Sequence, residues 1–225
     1  MKKIIVAACM AAVLLLTALA GCSSGSSSST AASDASSSTS APADNDKKVL
    51  TIAQGGDITT FDMQNHNNGV TGAVLCNFSH GLVERADEDN AWVCVLAKSY
   101  EMIDDSTWEF KLRDDVTWHN GDPFTAADVK YTYERAATDE SLAENHIFKV
   151  IKEVQIIDDY TVRFATDGPY PTLLSLLSKN GSQVMPSKYI EENGLDYYLE
   201  HPIGCGPYQF KEWVKDNVVV LERYD

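Results

Sequence analysis

The sequence predicts a mixed α/β domain that starts near residue 47, behind a leader and a flexible tether. Three observations predict it. Stretches with apolar residues at every second position (Trp108, Phe110, Leu112; Tyr160, Val162, Phe164) stand beside a stretch with helical spacing (Ala126, Val129, Tyr133, Ala136). The octet Ile103–Phe110, IDDSTWEF, returns as Ile157–Phe164, IDDYTVRF, with five of eight positions identical. The remaining length, about 178 residues, suffices for one ordinary core.

Taken in chain order, residues 1–21 read as a secretory leader. Lys2 and Lys3 form a basic start, Ile4 to Leu19 is uncharged and apolar, and small residues precede Cys22. The apolar run is short for a membrane span, which needs about 20 residues. The end Leu19-Ala20-Gly21-Cys22 resembles a bacterial lipoprotein signal, which implies lipidation of Cys22. Residues 22–46 follow as a tether, with eleven serines between Ser23 and Ser40 and no aromatic residue. Such a segment buries too little apolar surface to offset its ordering entropy. Its r.m.s. reach is roughly 25–30 Å.

Val49 to Ala53 reads as a buried strand, stopped by Gln54-Gly55-Gly56. A polar loop, Asp57 to Asn68, leads into helical spacing from Val70 to Glu84, with Val70, Ala73, Val74, Asn77, Phe78 and Gly81 on one face. The two Asp-Asp octets read as the turn and second strand of two β-hairpins in one antiparallel sheet. Their partner strands are Ser99 to Ile103 and Glu153 to Ile157. Between them, Asn120-Gly121 marks a tight turn. Thr125 is placed to cap a helix, with Asp128 three residues on as a capping-box partner. Pro171 to Ser178 suggests a leucine-rich helix and Asn180-Gly181-Ser182 a loop. Ser187 to Glu192 reads as a helix stopped at Asn193-Gly194, and GCGPYQFKEW with VVVLERY as a strand pair turning at Lys215-Asp216-Asn217.

The net charge of −15 becomes more negative when Lys2 and Lys3 leave with the leader. A surface this acidic repels phosphate backbones, so no nucleic-acid partner is expected. There is no G-x-S-x-G elbow, Walker A loop or H-E-x-x-H. The five histidines, at 66, 80, 119, 146 and 201, are scattered without a short ligand spacing, so no metal and no cofactor are expected. His119 lacks an evident base or nucleophile partner, and the run Trp118–Glu134 reads as a turn feeding a helix. Trp108 is assigned to the core. Trp118 either lines a pocket or closes the turn. Cys76, Cys94 and Cys205 remain in the mature chain, and their spacing chooses no pairing.

Leu96 to Ala136, LAKSYEMIDDSTWEFKLRDDVTWHNGDPFTAADVKYTYERA, resembles the signature region of the family 5 extracellular solute-binding proteins, the receptors of peptide- and nickel-type ABC importers. Pro202 to Phe210, PIGCGPYQF, resembles a second family motif, and Ile58 to Asp62, ITTFD, stands where the family has a loop after its first strand. Cys205 departs from the usual Thr, Cys94 from a frequent Pro and Asn120 from a common Asp. The two cysteines suggest a bond to each other. The resemblance implies a two-lobed periplasmic-binding-protein-like fold: a mixed sheet with an inserted antiparallel β-rich subdomain, of which this chain supplies only the first lobe. Family members are much longer, so a fragment or truncated product is expected, unable by itself to close on a ligand.

The resemblance also implies function: a lipid-anchored, extracytoplasmic, non-enzymatic receptor that hands oligopeptides or dipeptides to an ABC permease in the bacterial membrane, monomeric at full length. Gly55, Gly56, Asp57, Phe61, Trp118, Asn180, Gly181 and Ser182 are the expected ligand-binding residues. A nickel-chelate, haem or oligosaccharide cargo is the alternative within the class. A surface hydrolase, and an adhesin or sensor reusing the fold, are the alternatives outside it.

Overall fold

The computed structural model describes residues 48–86 and 91–224. The leader, Cys22 and the serine-rich stretch lie outside the described residues. From Thr51 onward the chain forms one compact unit. Its elements are α1 (Gly69–Phe78), β1 (Val83–Arg85), β2 (Trp92–Cys94), β3 (Ala97–Asp104), β4 (Thr107–Leu112), α2 (Ala126–Thr138), α3 (Asn145–Phe148), β5 (Ile151–Asp158), β6 (Thr161–Thr166), α4 (Leu173–Leu177), α5 (Ser187–Asn193), α6 (Leu195–Glu200), β7 (Tyr208–Val214) and β8 (Val218–Arg223).

The repeated octets form the centre of a four-stranded antiparallel sheet, ordered β3-β4-β6-β5. β4 and β6 pair with each other, Trp108 opposite Phe164 and Phe110 opposite Val162. Each repeat turns the same way, because the first Asp of each pair accepts from the backbone two residues on: Asp104 from Ser106 N–H at 2.9 Å, Asp158 from Tyr160 N–H at 2.9 Å. The register shifts match as well, at Met102/Asp104 and at Ile156/Asp158. Alternation puts Trp108, Phe110, Leu112, Val162 and Phe164 on the buried face. Tyr133 of α2 meets Phe164 edge-on at 5.1 Å between centroids, and Phe110 meets Phe164 at 5.3 Å. Burying each such side chain contributes about 1.5–3 kcal/mol. A second core gathers Ile58, Phe61, Met63, Leu75, Phe78, Met185, Ile190 and Tyr198, with Phe210, Trp213 and Leu221 of the β7–β8 pair against it. Every strand pair among the described residues is antiparallel, so the parallel pairing that a mixed sheet requires is not found there.

Several expected elements change. The strand at Val49 to Ala53 does not form, and Val49, Leu50 and Ile52 are exposed. A strand needs a neighbour for its N–H and C=O groups, and none of the three sheets takes this segment in. The helix from Val70 stops at Phe78 rather than reaching Glu84. Beyond it the chain is claimed by other segments: Ser79 Oγ donates to the Val184 carbonyl at 3.0 Å, Val184 N–H to the His80 carbonyl at 2.9 Å and Leu96 N–H to the Gly81 carbonyl at 3.3 Å. Residues 83–85 then pair as a strand with 92–94. The buried helix face is Thr71, Gly72, Leu75 and Phe78, and Ala73 and Asn77 are exposed. The suggested Cys94–Cys205 bond is absent. All three thiols are free, and Cys205 Sγ faces Ser79 Oγ at 3.7 Å.

The turn and cap between the hairpins form as expected. Trp118 N–H donates to the Asp122 carbonyl and Gly121 N–H to the Trp118 carbonyl, both at 2.8 Å, with Gly121 at φ +88°. Thr125 N–H donates to Asp128 Oδ2 at 2.9 Å. The Asp128 carboxylate, 3% exposed, also accepts from Trp118 Nε1 at 3.2 Å, Ser187 N–H at 2.8 Å and Ser187 Oγ at 2.7 Å. Burial pushes its pKa up against the donors that favour the ionised form. Asp128→Ala strands these donors in the interior and is expected to lower unfolding free energy by about 3 kcal/mol, read from the urea midpoint at unchanged m.

Candidate functional site

Among the described residues, two open clefts stand out. One, of about 500 Å³, lies along α2 and α5 and includes Trp118, Lys130, Tyr131, Lys188 and Tyr189. The other, of about 450 Å³, is bounded by α1, β1 and the segment after α4, and includes Cys76, Arg85, Lys179, Asn180, Ser182 and Gln183. The second is concave, with charged and amide side chains converging from separate elements.

Local chemistry builds its wall. Asn180 packs onto α1 at Gly72, where a Cβ would stand 2.6 Å from Asn180 Nδ2. Gly181 follows at φ +90°, and a Cβ there would meet Glu144 Cγ at 3.1 Å and the Met63 carbonyl at 3.3 Å. Only glycine suits that position on both counts. Gly181 N–H donates to Gln183 Oε1 at 2.9 Å, and Ser182 Oγ to the Leu176 carbonyl at 2.7 Å. Lys179 pairs with the carboxylate of Glu144, which is 5% exposed.

Beside this wall runs the loop Asp62–Asn68. Arg135 of α2 holds it with a two-pronged ion pair to Asp62, at 2.6 and 2.9 Å, and a 2.7 Å bond to Gln64 Oε1. Gln64 Nε2 donates to the Thr132 carbonyl at 3.0 Å, and Glu144 N–H to the Gln64 carbonyl at 3.2 Å. Asn68 caps α1, accepting from Val70 and Thr71 N–H. His66 lies inside this frame, 4% exposed, within electrostatic reach of Glu144, Asp62 and Lys179. Burial lowers its pKa.

The expected site residues do not converge on one place. Asn180 and Ser182 line the 450 Å³ cleft and Gly181 lies between them. Trp118 lines the other cleft, only 2% exposed, with its indole N–H on Asp128. Asp57 binds the β7–β8 turn, accepting from Trp213 Nε1 at 3.1 Å and Asp216 N–H at 2.7 Å. The Asp216 amide is the chief reason its pKa is lowered. Phe61 is buried in the second core, edge-on to Phe78 and Phe210. Gly55 and Gly56 are exposed. His66, Glu144 and Lys179 were not singled out from sequence. They lie far apart in the chain and share no local spacing, so only the fold brings them together.

His119 has a structural task. Its Nδ1 accepts from Gly204 N–H at 3.0 Å and its Nε2 donates to the Gly206 carbonyl at 2.9 Å, which fixes a neutral ring. Burial lowers its pKa too. Both imidazoles thus sit below the ordinary histidine value of about 6.5. As pH falls through that value the unfolded chain takes up protons that the folded chain does not. Stability is therefore full above it and is lost toward the folded values. The urea midpoint is expected to be lower at pH 5.5 than at pH 7.5, before carboxylates held low, such as Asp57, begin to titrate.

Comparisons with known proteins agree with this architecture. The model of the bacterial extracellular solute-binding proteins, family 5 Middle, matches residues 91–225. The glutathione-binding protein GsiB of Salmonella typhimurium is 31% identical over 179 residues, covering 79% of this chain and 35% of GsiB. NikZ of Campylobacter jejuni, solved in complex with Ni(L-His), superposes with TM-score 0.62 at 29% identity, over 74% of this chain and 34% of NikZ. Haemophilus influenzae OppA, solved with the peptide RPPGFSPFR, superposes with TM-score 0.68 at 25% identity, over 75% of this chain and 37% of OppA. The chain spans about a third of the length of the curated relatives it matches. With the family model covering more than half of its residues, this chain belongs to the bacterial extracellular solute-binding proteins of family 5.

Proposed function

We propose that this chain belongs to the substrate-binding receptor of an ABC importer, that its cargo is a short peptide, and that Cys22 carries a lipid anchoring it outside the bacterial cell membrane. The observation that carries the cargo assignment is the 450 Å³ cleft, where Lys179, paired with Glu144, stands beside the amides of Asn180 and Gln183 along one wall. Amide side chains both donate and accept, as the main chain of a peptide does. The likeness to a glutathione-binding protein and to a peptide-bound OppA supports the same reading. No nucleophile–base pair accompanies the cleft in the sequence, which supports a receptor that holds its cargo without reacting with it. Asn180, Gly181 and Ser182 are the proposed ligand contacts. Gly55, Gly56, Asp57, Phe61 and Trp118 remain proposed as contacts or as supports. The partners are the peptide, the permease and, through the lipid, the membrane; at full length the receptor acts as a monomer. The likeness to NikZ supports a second reading, a nickel chelate as cargo.

Calorimetry on the product of the complete reading frame separates these readings. Reduced glutathione and trialanine are expected to bind, and Ni–histidine is not. Lys179→Ala and Asn180→Ala are each expected to weaken peptide binding about tenfold, the size of one lost hydrogen bond. Unchanged affinity in both variants would remove the cleft from the reading. For the anchor, Cys22→Ser is expected to abolish metabolic labelling with palmitate and to move the protein out of the membrane fraction. Labelling that persists in the variant would place the lipid elsewhere.

A further inference from the structure

Three hydrogen bonds clamp the loop of residues 202–206 to His119. The His119 N–H donates to the Gly204 carbonyl at 2.9 Å, its Nδ1 accepts from the Gly204 N–H at 3.0 Å, and its Nε2 donates to the Gly206 carbonyl at 2.9 Å. On its other side the loop meets the end of α1, where the Gly206 N–H donates to the Phe78 carbonyl at 2.9 Å. The imidazole packs against Phe78, with ring centroids 5.5 Å apart, and against Tyr224 at 4.7 Å. Tyr224 stands just past β8, and its N–H donates to the carbonyl of Pro207, just before β7, at 2.9 Å. One side chain thus joins the Asn120-Gly121 turn, the loop, α1 and the base of the last hairpin. Ser79, which lines the 450 Å³ cleft, meets Cys205 of the loop at 3.7 Å, so the loop also backs that cleft.

Only the neutral ring fits this clamp. An imidazolium carries hydrogen on both nitrogens, so its Nδ1–H would point at the Gly204 N–H, donor against donor, in a partly buried place. The surrounding groups offer no remedy. α1 carries no charged side chain, and its titratable group is the Cys76 thiol. The loop brings the Cys205 thiol, and the end of β8 brings Arg223 and the Tyr224 phenol. The nearby carboxylates are engaged: Glu222 pairs with Lys211, and Asp122, on the turn of His119 itself, pairs with Lys188 at 2.8 Å. We propose that His119 is a proton-operated latch: neutral, it holds the loop 202–206 and the base of the β7–β8 hairpin on α1, and protonated at Nδ1, it lets them go while the four-stranded sheet stays folded. One proton taken up replaces one accepted hydrogen bond, and no covalent bond of the chain changes. Burial holds the ring below the ordinary histidine value, so the closed form is favoured above that value and opening grows as pH falls.

The test is amide hydrogen exchange on the product of the complete reading frame between pH 7.5 and pH 5, with each rate divided by the intrinsic rate at that pH. An opening that takes up one proton becomes about tenfold more frequent for each pH unit below about 6.5, until the folded value is reached. Protection of the Gly204 and Gly206 N–H groups is therefore expected to fall about tenfold or more by pH 5. This exchange is expected not to respond to about 1 M urea, the mark of a local opening, whereas exchange in β4 and β6 does respond. Loop protection that is flat with pH overturns the latch, and so does loop exchange that follows urea as steeply as that of the sheet. His119→Asn keeps an acceptor near the Gly204 N–H and cannot take up the proton. Its loop protection is expected to stay within about threefold from pH 7.5 to pH 5. The wild-type acid loss persisting in this variant would place the proton on another group. Should His119→Asn not fold, ¹⁵N NMR of the wild-type imidazole decides. A neutral ring with its hydrogen on Nε2 is expected at pH 7.5, and the other tautomer, or a ring already protonated there, overturns the proposal.

Discussion

The buried carboxylate of Asp128 takes hydrogen bonds from Trp118, Thr125 and Ser187, three places that the chain visits before, at and well after the start of α2. Each contact ties one layer to the next. The indole fixes the turn at Asn120-Gly121, the Thr125 amide fixes where α2 begins, and the Ser187 groups fix where α5 begins. A carboxylate is suited to this position because it accepts at both oxygens and donates nothing, so several donors satisfy it without competing protons. From α2, placed in this way, Val129, Tyr133 and Ala136 reach the face of the four-stranded sheet, and Arg135 reaches the loop that frames the candidate site.

A second constraint is closeness of approach. At Gly204 a Cβ would stand 2.0 Å from the Phe78 carbonyl oxygen, and at Gly206 2.7 Å from the Phe78 carbonyl carbon, while Gly206 N–H donates to that carbonyl oxygen at 2.9 Å. The loop therefore lies directly against the end of α1, and His119 holds its two glycines from the other side. The thiol of Cys205 is carried into this packed place, beside Ser79. Burial pushes that thiol's pKa up. A histidine in a polar run, which could have suggested catalysis, is thus absorbed by packing.

The candidate site differs from the rest of the fold in how completely its polar groups are satisfied. Elsewhere among the described residues, Trp108 apart, buried side-chain donors and acceptors are paired, as Tyr133 is with the Ser182 carbonyl at 2.7 Å and Thr132 with the Asp128 carbonyl at 2.7 Å. At His66 the frame is held by Arg135 and by the cap of α1, and the ring nitrogens have no hydrogen-bond partner among the described residues. Trp108 also carries an unanswered indole N–H, but it stands among core aromatics of the sheet rather than among charged side chains.

The sequence by itself determined what local chemistry controls. The Asp-Asp turns, the alternation of β4 and β6, the Thr125 start of α2 and the Asn193-Gly194 stop of α5 all rest on interactions within a few residues. The resemblance carried by Leu96 to Ala136 likewise identified the family that the comparisons establish. Tertiary structure decided the remainder. Val49 to Ala53 has the composition of a strand but pairs with no strand among the described residues, and the helix from Val70 ends where distant segments claim its backbone. Whether Phe61, Asp57 and Trp118 face a ligand or a core depends on which segments fold over them, and no spacing records that. The meeting of His66, Glu144 and Lys179 is decided in the same way. Residues remote in sequence become neighbours only when long-range packing closes, and hydrogen-bond completeness is a property of that closed arrangement.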